Sequence, residues 1–404
     1  MQRALQAEQN YKIEFGSFFP SITIDSGMAR SITPSNSLSF TNGGSRKFYN
    51  TNYSTKANVS WQLDFFGKIR NLNDKAKSEF VATKFDIDAL QQSLIADLFK
   101  SRVAVAVNNE LFILAKKNEI DKKNIYNLVK RRYESGANGI NLSSLNTAKN
   151  NLNTAKNEAL AINQQLIAEI YNFQSLLGKF PDEKQIDLNE FKIPKLPEKI
   201  ETCIPAKLLD RRPDLKALEL RLMSANSDVG VAIADLFPDF TISASTGFSG
   251  NQSKNLFDTK QLASSISGNI ATKIFQGGKL KANVALKKAK FKELSANYAN
   301  QIIIALKEVE TFLRNEEQLK SEVNNQIESN KMILSLVSIS QNRYENGVEK
   351  LENFLTAKEK EYNSKKLLLS KAQEQWNNRI DLYLSLGGDV SREYMNCKID
   401  NGRK

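Results

Sequence analysis

The chain contains no histidine. That removes the side chain most used as a general base near neutral pH, and with it the commonest transition-metal ligand. Cysteine is nearly absent: Cys203 and Cys397 are the only two thiols, far apart and without a Cys-x-x-Cys spacing, which excludes the usual zinc sites. No apolar run approaches the ~20 residues of a membrane-spanning helix. A membrane β-barrel is not excluded, because its signal is alternation rather than bulk hydropathy. Gly-x-Ser-x-Gly, a P-loop and a glycine fingerprint opening a helix are all missing. Nothing here points to catalysis, a metal or a cofactor, so the chain reads as a non-enzyme.

Proline is scarce and unevenly placed. The eight are Pro20, Pro34, Pro181, Pro194, Pro197, Pro205, Pro213 and Pro238, which leaves 35–180 and 239–404 without any. Proline interrupts helices, so both segments are free to hold very long ones. The cluster over 181–213 reads as an irregular connector between them.

Acidic residues are too few to balance the basic ones, and the net charge is +12. The lysines are nevertheless interspersed with acids, as in "KKAKFKELSANY". That is a solvated helix surface, with no separate basic segment for nucleic acid. At 404 residues, 41% apolar and 25% charged, the composition is that of a folded protein. Neither a signal peptide nor a lipid-acceptor cysteine is visible at the start, which opens as "MQRALQAEQNYKIEF", already helical in pattern.

What the chain does have is one very long alternating stretch, "YNTNYSTKANVSWQLDF" over 49–65. Tyr49, Thr51, Tyr53, Thr55, Ala57, Val59, Trp61, Leu63 and Phe65 alternate with Asn50, Asn52, Ser54, Lys56, Asn58, Ser60, Gln62 and Asp64. An extended chain places these sets on opposite faces, one apolar and one polar. The run exceeds an ordinary strand of about five or six residues. A long helical pattern then starts at "FGKIRN".

The two halves repeat one another. "GSFFPSITIDSG" answers "ADLFPDFTISAS", "FGKIRN" answers "GGKLKA", and "RRYESG" answers "NRYENG". "LNTAKN" answers "FLTAKE", and "SLLG" answers "SLGG". From Pro20 to Pro238 is 218 residues, from Gly67 to Gly278 is 211, and from Ala148 to Ala357 is 209. The first copy therefore carries extra residues in its strand region and just after the RYESG turn.

Each unit reads as strand, polar loop, strand, glycine turn, long helix, glycine tip and return helix. The first strand holds Ile22 and Ile24 in one copy and Phe240, Ile242 and Ala244 in the other. The loops are "SITPSNSLSFTNGGSRKF" and "GNQSKNLFDTK". The second strand of copy two sets Leu262, Ile266, Ile270 and Ile274 against Ser265, Ser267, Asn269 and Lys273. Strand-to-helix turns fall at Gly67 and at Gly277 and Gly278.

From Lys68 to about Lys130 an unbroken helix would span ~95 Å at 1.5 Å per residue. In copy two Leu286, Leu294, Tyr298, Ile302, Leu306, Val309 and Leu313 form an amphipathic stripe, as in coiled-coil packing. The expected divisions are 1–19, a remnant of a first helix; 20–66, a first β-hairpin; 67–180, a first long helical hairpin; and 181–213, the connector. They continue as 214–237, the helix of the second repeat; 238–276, a second β-hairpin; 277–387, a second long helical hairpin; and 388–404, a tail.

Four such strands cannot finish themselves. Unpaired edges are prohibitively costly in lipid, and the smallest closed barrels have about eight strands. Several copies must share one barrel if the strands lie in a membrane, with the polar face lining a water-filled lumen.

The motifs "WQLDFFGKIRN", "LLDRRPDLKALELRLMSANSDVGVAIADLFPDFTISAS", "IFQGGKLKANV" and "RYENGVEKLENFLTAKEKEYNSKKLLL" carry a specific likeness. The chain resembles, over nearly its whole length, the TolC/OprM-like outer-membrane channel components of tripartite efflux pumps, in the multidrug-efflux lipoprotein branch. The resemblance implies a mainly α fold with a membrane β-barrel portion. A homotrimer would form a twelve-strand barrel continuous with a periplasmic α-helical barrel. It implies a passive duct exporting drugs and other small toxic compounds, with no cofactor. Its partners would be a periplasmic adaptor (membrane fusion) protein, an inner-membrane RND-type transporter and outer-membrane lipid.

By motif position the periplasmic tips, where the adaptor docks, fall at Arg132, Tyr133 and Gly136 and at Arg343, Tyr344 and Gly347. Relatives often place an aspartate gate where this chain has Thr356. Glu349, Glu352 and Glu359 are nearby acidic candidates for the gate, though each also reads as solvated helix surface. Tyr53, Val59, Trp61 and Leu63 are expected to face the membrane; for Trp61, an interfacial girdle and a core at the barrel base both stand. Arg211, Arg212 and Asp214 are expected to cap a helix and hold the junction below the channel's waist. In the family a signal peptide, a longer first helix and a lipidated, palmitate-bearing cysteine lie upstream of the part matched here. Pairing of Cys203 with Cys397 is left open. The competing functions are a type I protein-secretion channel and a coiled-coil interaction protein that uses the strands only as a cap.

Overall fold

The computed structural model describes residues 1–34, 47–136, 141–182, 187–197, 211–252 and 257–388. Its elements run α1 (Gln2–Gly16), β1 (Ser21–Pro34), β2 (Lys47–Leu63), α2 (Lys68–Glu134) and α3 (Leu142–Leu176). They continue with α4 (Pro213–Ala234), β3 (Asp239–Gly250), β4 (Leu262–Ala271), α5 (Lys279–Glu345) and α6 (Leu351–Ser385). The protein is mostly helical with one small antiparallel sheet in the order β1-β2-β3-β4. No helix among the described residues is long and apolar enough to cross a membrane.

The duplication is visible in the backbone. Helices α2 and α5 have 67 residues each, and α3 and α6 have 35 each. Positive φ recurs at matched glycines: 75° at Gly67 and 83° at Gly278, 67° at Gly136 and 72° at Gly347, 70° at Gly178 and 86° at Gly387. No other residue type among those described has positive φ. L side chains resist that region, so the glycines fix where each helix ends.

The chain divides into two compact units. One comprises Met1–Ile87 and Asp214–Asn300, the other Asp88–Pro213 and Gln301–Lys404. In the first, the sheet is followed by a set of charge pairs. Asp64 accepts from the backbone N–H of Ile69 at 3.1 Å and of Arg70 at 2.9 Å, satisfying two donors at the start of α2. On α4, Asp228 lies 2.7 Å from both Lys75 and Lys287, so one carboxylate ties α4 to both long helices. Burial pushes that carboxyl up, but the bonds from Lys287 and Lys75 outweigh it and hold it below the ordinary value. Lys68 lies 2.8 Å from Asp235 and 3.5 Å from Asp239. Burial would lower its ammonium, yet the two acids hold it above the usual lysine value. Arg221 pairs with Asp86 and, at 3.4 Å, with Glu79.

In the second unit α3 buries Ala148, Leu152, Ala155, Ala159, Ile162, Leu166 and Ile170, a stripe at steps of three and four. Opposite it, Val103 to Val107 of α2 are all buried, and the small Ala104 and Ala106 admit neighbours on more than one side. Val105, Leu166 and Ile170 form a core on which Leu188 and Phe191 of the connector pack. The connector is pinned further along. Trp376 donates to the Pro194 carbonyl at 3.1 Å, and Arg379 to that of Pro197 at 3.2 Å. Arg379 also pairs with Glu316, both buried. Buried Gln174 both donates to and accepts from the Asp182 backbone, at 2.6 and 2.8 Å.

Three expectations are corrected. The first loop starts later and ends sooner than the polar composition implies, since β1 continues to Pro34 and β2 begins at Lys47. Strand β4 stops at Ala271, so Ile274 and Lys273 lie beyond it; alternation persisted past the last paired residue. On α5 the stripe is only partly covered. Val309 is buried, whereas Leu286 is 64% and Leu306 38% exposed, because one chain supplies packing on one side only. Cys203 and Cys397 lie outside the described residues. In the "RRPD" motif Asp214 accepts from the Leu215 N–H at 2.9 Å in the first turn of α4, and Arg212 donates to Glu308 at 2.7 Å.

Candidate functional site

The two helix tips close in the same way. The N–H of Gly136 donates to the Tyr133 carbonyl at 3.1 Å, and that of Gly347 to the Tyr344 carbonyl at 3.0 Å. After the second tip the Val348 N–H reaches the Arg343 carbonyl at 2.8 Å, completing the paired bonds of a glycine helix cap. Helix α3 restarts on Asn141, whose side chain accepts from the Ser144 N–H at 2.9 Å.

The tips touch through side chains. The guanidinium carbon of Arg132 stands 5.5 Å from the centroid of the Tyr344 ring. That ring stacks on Phe354 of α6 with centroids 5.7 Å apart and planes 3° from parallel. The Tyr344 hydroxyl is buried without a hydrogen-bond partner among the described residues. Sequence reading named Arg132 and Tyr344 singly and missed Phe354. The duplication was the available signal, since matched tips that end at one level bring their matched residues together. Arg343, Tyr133, Gly136 and Gly347 contribute backbone to the turns, and Tyr133 is 39% exposed.

Of the acidic gate candidates, Glu352 and Glu359 share one exposed face of α6 with Thr356, at steps of four and three. The Thr356 hydroxyl donates back to the Glu352 carbonyl at 3.0 Å, which turns it toward its own helix. Glu359 lies 3.3 Å from Lys122 of α2. Glu349 precedes α6 and leaves the row, with one carboxylate oxygen buried and unpartnered among the described residues. Deeper on α6, burial and the Glu158 carboxylate push the Tyr362 phenol up.

The sheet separates two chemistries. Directly opposed residues share a face, so the register sets Ile22 beside Val59 and Ala244, and Met28 beside Tyr53. It also sets Trp61 beside Ile242, and Leu63 beside Phe240 and Ile270. Tyr53, Val59, Trp61 and Leu63 thus lie in one apolar face, and Ile22, Ile24 and Ile266 on it are 72%, 73% and 80% exposed. The Trp61 indole donates to the Phe18 carbonyl at 3.0 Å, so its polar edge is anchored at the helix-bearing end of the sheet. The other face is serine, threonine and asparagine. Asn58 donates to Asp25 at 2.6 Å, Ser249 to Asn52 at 2.9 Å, and the Ser245 and Ser265 hydroxyls meet at 2.9 Å. Among its charges, Asp25 and Lys56 are register partners, and Asp239 accepts from Gln62 at 3.2 Å. Gly67, Gly277 and Gly278 sit between strand and helix in the two copies.

A sheet whose most apolar face is exposed, joined to long helices, agrees with what known proteins show. A profile of the outer membrane efflux protein family matches residues 2–179 and 204–388. The solvent efflux pump outer membrane protein SrpC of Pseudomonas putida is 27% identical over 388 residues, covering 94% of this chain and 80% of its own. The cation efflux system protein CusC of Escherichia coli O6:H1 is 25% identical over 344 residues, covering 83% of this chain and 72% of its own. The fold is that of the Campylobacter jejuni CmeC outer membrane channel, with a TM-score of 0.87 at 22% identity over 97% of this chain and 84% of that one. The chain belongs to the outer membrane efflux protein family, whose members are non-enzymatic transport channels of the outer membrane that extend into the periplasm.

Proposed function

We propose that three copies of this chain close a twelve-strand β-barrel continuous with a periplasmic α-helical barrel, and serve as the passive exit duct of a tripartite efflux pump. The observation that carries this is the four-stranded sheet. Its apolar face is exposed, its opposite face is hydroxyl- and amide-rich, and β1 and β4 each have one paired neighbour among the described residues. A face of that kind is stable against lipid, and free edges in lipid require partners, which further copies supply. The exposed leucines of α5 are the corresponding surface for helix packing between copies.

The tips at Arg132, Tyr133 and Gly136 and at Arg343, Tyr344 and Gly347 are the docking points for a periplasmic adaptor, which links the duct to an inner-membrane RND-type transporter. The gate lies at the row Glu352, Thr356 and Glu359, with Glu349 at its edge. Export covers drugs and other small toxic compounds, with cargo chosen by the transporter. The relatives support that division of labour, since SrpC is named for solvent and CusC for cation efflux.

Deletion of the gene in a strain without a redundant channel tests the reading. Accumulation of chemically diverse compounds should rise and tolerance should fall, with restoration by the full-length gene. Unchanged accumulation would overturn it, as would a full-length precursor that yields a soluble monomer instead of detergent-dependent, heat-modifiable trimers.

A further inference from the structure

Arg30 is the one charged group among the side chains described on the apolar face of the sheet. It lies in the β1 row between Met28 and Ile32, which are 61% and 56% exposed, and opposite Thr51 of β2. Its guanidinium carbon stands 5.3 Å from the centroid of the Tyr49 ring, itself 59% exposed. An arginine facing lipid is strongly disfavoured at the bilayer midplane and tolerated near the interface. Its height on the sheet is therefore informative.

Strand β2 supplies a ruler. Trp61 is anchored at the helix-bearing end, and Thr51, level with Arg30, lies ten residues away. At about 3.4 Å per residue that is roughly 34 Å along the strand. A barrel tilt of about 40° reduces it to ~26 Å of height, close to the ~25 Å of a membrane barrel's apolar band. Trp61 and the Arg30–Tyr49 pair thus stand one band apart, at opposite interfaces. The helices extend into the periplasm, so Arg30 and Tyr49 meet the outer leaflet.

We propose that Arg30, oriented by Tyr49, is a binding site for a phosphate of the phosphorylated glycolipid, lipid A, of the outer leaflet. The planar guanidinium fork matches phosphate oxygens bidentately, and stacking on the tyrosine ring presets its orientation. Met28 and its register partner Tyr53, one step from Arg30 toward Trp61, supply apolar surface for the acyl chains below the phosphate. The inference rests on the barrel reading above, because only a sheet closed in the membrane presents this face to lipid.

The test uses the full chain purified as trimers and placed in phosphatidylcholine nanodiscs doped with either bisphosphoryl lipid A or a fully dephosphorylated form. Retained glycolipid is counted by native mass spectrometry. The wild type should retain the bisphosphoryl form roughly tenfold better than Arg30→Gln does, the size of one charge-assisted contact. Arg30→Lys should fall between them, keeping charge without the fork, and the dephosphorylated lipid should show no difference among the three. Trimer melting and tryptophan fluorescence check that the variants fold. Equal retention by wild type and Arg30→Gln, or no preference for phosphate in the wild type, overturns the assignment of Arg30 while leaving the barrel standing. Failure to form any trimer overturns the barrel and this site with it.

Discussion

Gly230 of α4 lies so close to Asn71 of α2 that a Cβ on it would stand 2.4 Å from the Asn71 Oδ1 and 2.6 Å from its Cγ. Asn71 is not free to retreat without loss, since its Nδ2 donates to the Gly67 carbonyl at 2.6 Å across the strand-to-helix turn. Gly230→Ala should therefore destabilise the fold by about 1–2 kcal/mol, the cost of overpacking less the helix propensity gained by alanine. In an Asn71→Ala background the same change should be neutral or stabilising. A thermal-melting double-mutant cycle reads the coupling, and additive effects would count against the contact.

Gly247 of β3 meets backbone instead. A Cβ there would stand 2.2 Å from the Thr55 carbonyl oxygen and 2.6 Å from the Lys56 Cα. Neither atom can move without opening the β2–β3 ladder that builds the sheet. Gly247→Val should cost more than Gly230→Ala, on the order of 3 kcal/mol, and on the proposed trimeric-barrel reading should reduce the yield of heat-modifiable trimers. Gly27 has nothing within 4 Å of its Cβ position, so Gly27→Ala in β1 is the matched control and should leave trimer yield unchanged.

Arg379 and Glu316 form a buried pair between α6 and α5, and Arg379 also holds the Pro197 carbonyl of the connector. Removing one partner strands a buried charge. Arg379→Met should cost about 3–5 kcal/mol, and adding Glu316→Leu should recover much of that. Connector docking separates the two effects. Both variants lose the bond to Pro197, so limited proteolysis between Pro181 and Pro213 should accelerate in both, even where melting recovers.

How much of this was legible depended on sequence distance. The turns at Gly67, Gly136, Gly178 and their counterparts could be read because positive φ demands glycine and the duplication showed each one twice. The alternation of β2 was readable for the same local reason, as side chains switch face at every residue. Strand ends were not, because pairing ends where the partner strand ends, and nothing in "GNIATKIFQ" marks Ala271 as the last paired residue. The charge pairs were hidden altogether. Lys75 and Asp228 are 153 residues apart and Arg379 and Glu316 are 63 apart, and a lysine-rich helix offers many equivalent candidates. The apolar residues of α5 looked like a core stripe and are only partly covered in one chain, with Leu286 and Leu306 exposed, Val309 buried and the other four half-buried. Periodicity reports a face without saying which molecule covers it.

Asp228 sets a pH dependence with a definite sign. Its folded carboxyl is held below the ordinary value of ~3.9 by Lys287 and Lys75, against the opposing effect of burial. Such a group contributes stability that is fully present above the ordinary carboxylate value and is lost as pH falls through the lowered one. Asp228→Asn should lower the melting temperature at pH 7, with the gap to wild type closing as pH drops below about 4. Denaturant melts from pH 7 to pH 2 check this. A gap that stays constant across that range would show that the carboxylate's charge is not what binds α4 to the two long helices.

At the tips the ring of Tyr344, not its hydroxyl, makes the contacts. The Arg132 guanidinium carbon stands 5.5 Å from its centroid and the Phe354 ring stacks on it with centroids 5.7 Å apart, while the hydroxyl has no hydrogen-bond partner among the described residues. Cation–π and stacking contacts of this kind contribute about 0.5–1.5 kcal/mol each. On the gated-duct reading, Tyr344→Ala should loosen the tips and raise single-channel conductance in planar bilayers, and Arg132→Ala should do so more weakly. Tyr344→Phe should behave as wild type. The Tyr344→Ala and Arg132→Ala effects should be less than additive, because both remove the same contact. Conductance that rises equally in Tyr344→Phe would assign the effect to the hydroxyl and to adaptor or solvent contacts, and would remove the Arg132–Tyr344–Phe354 stack as the element that holds the two tips together.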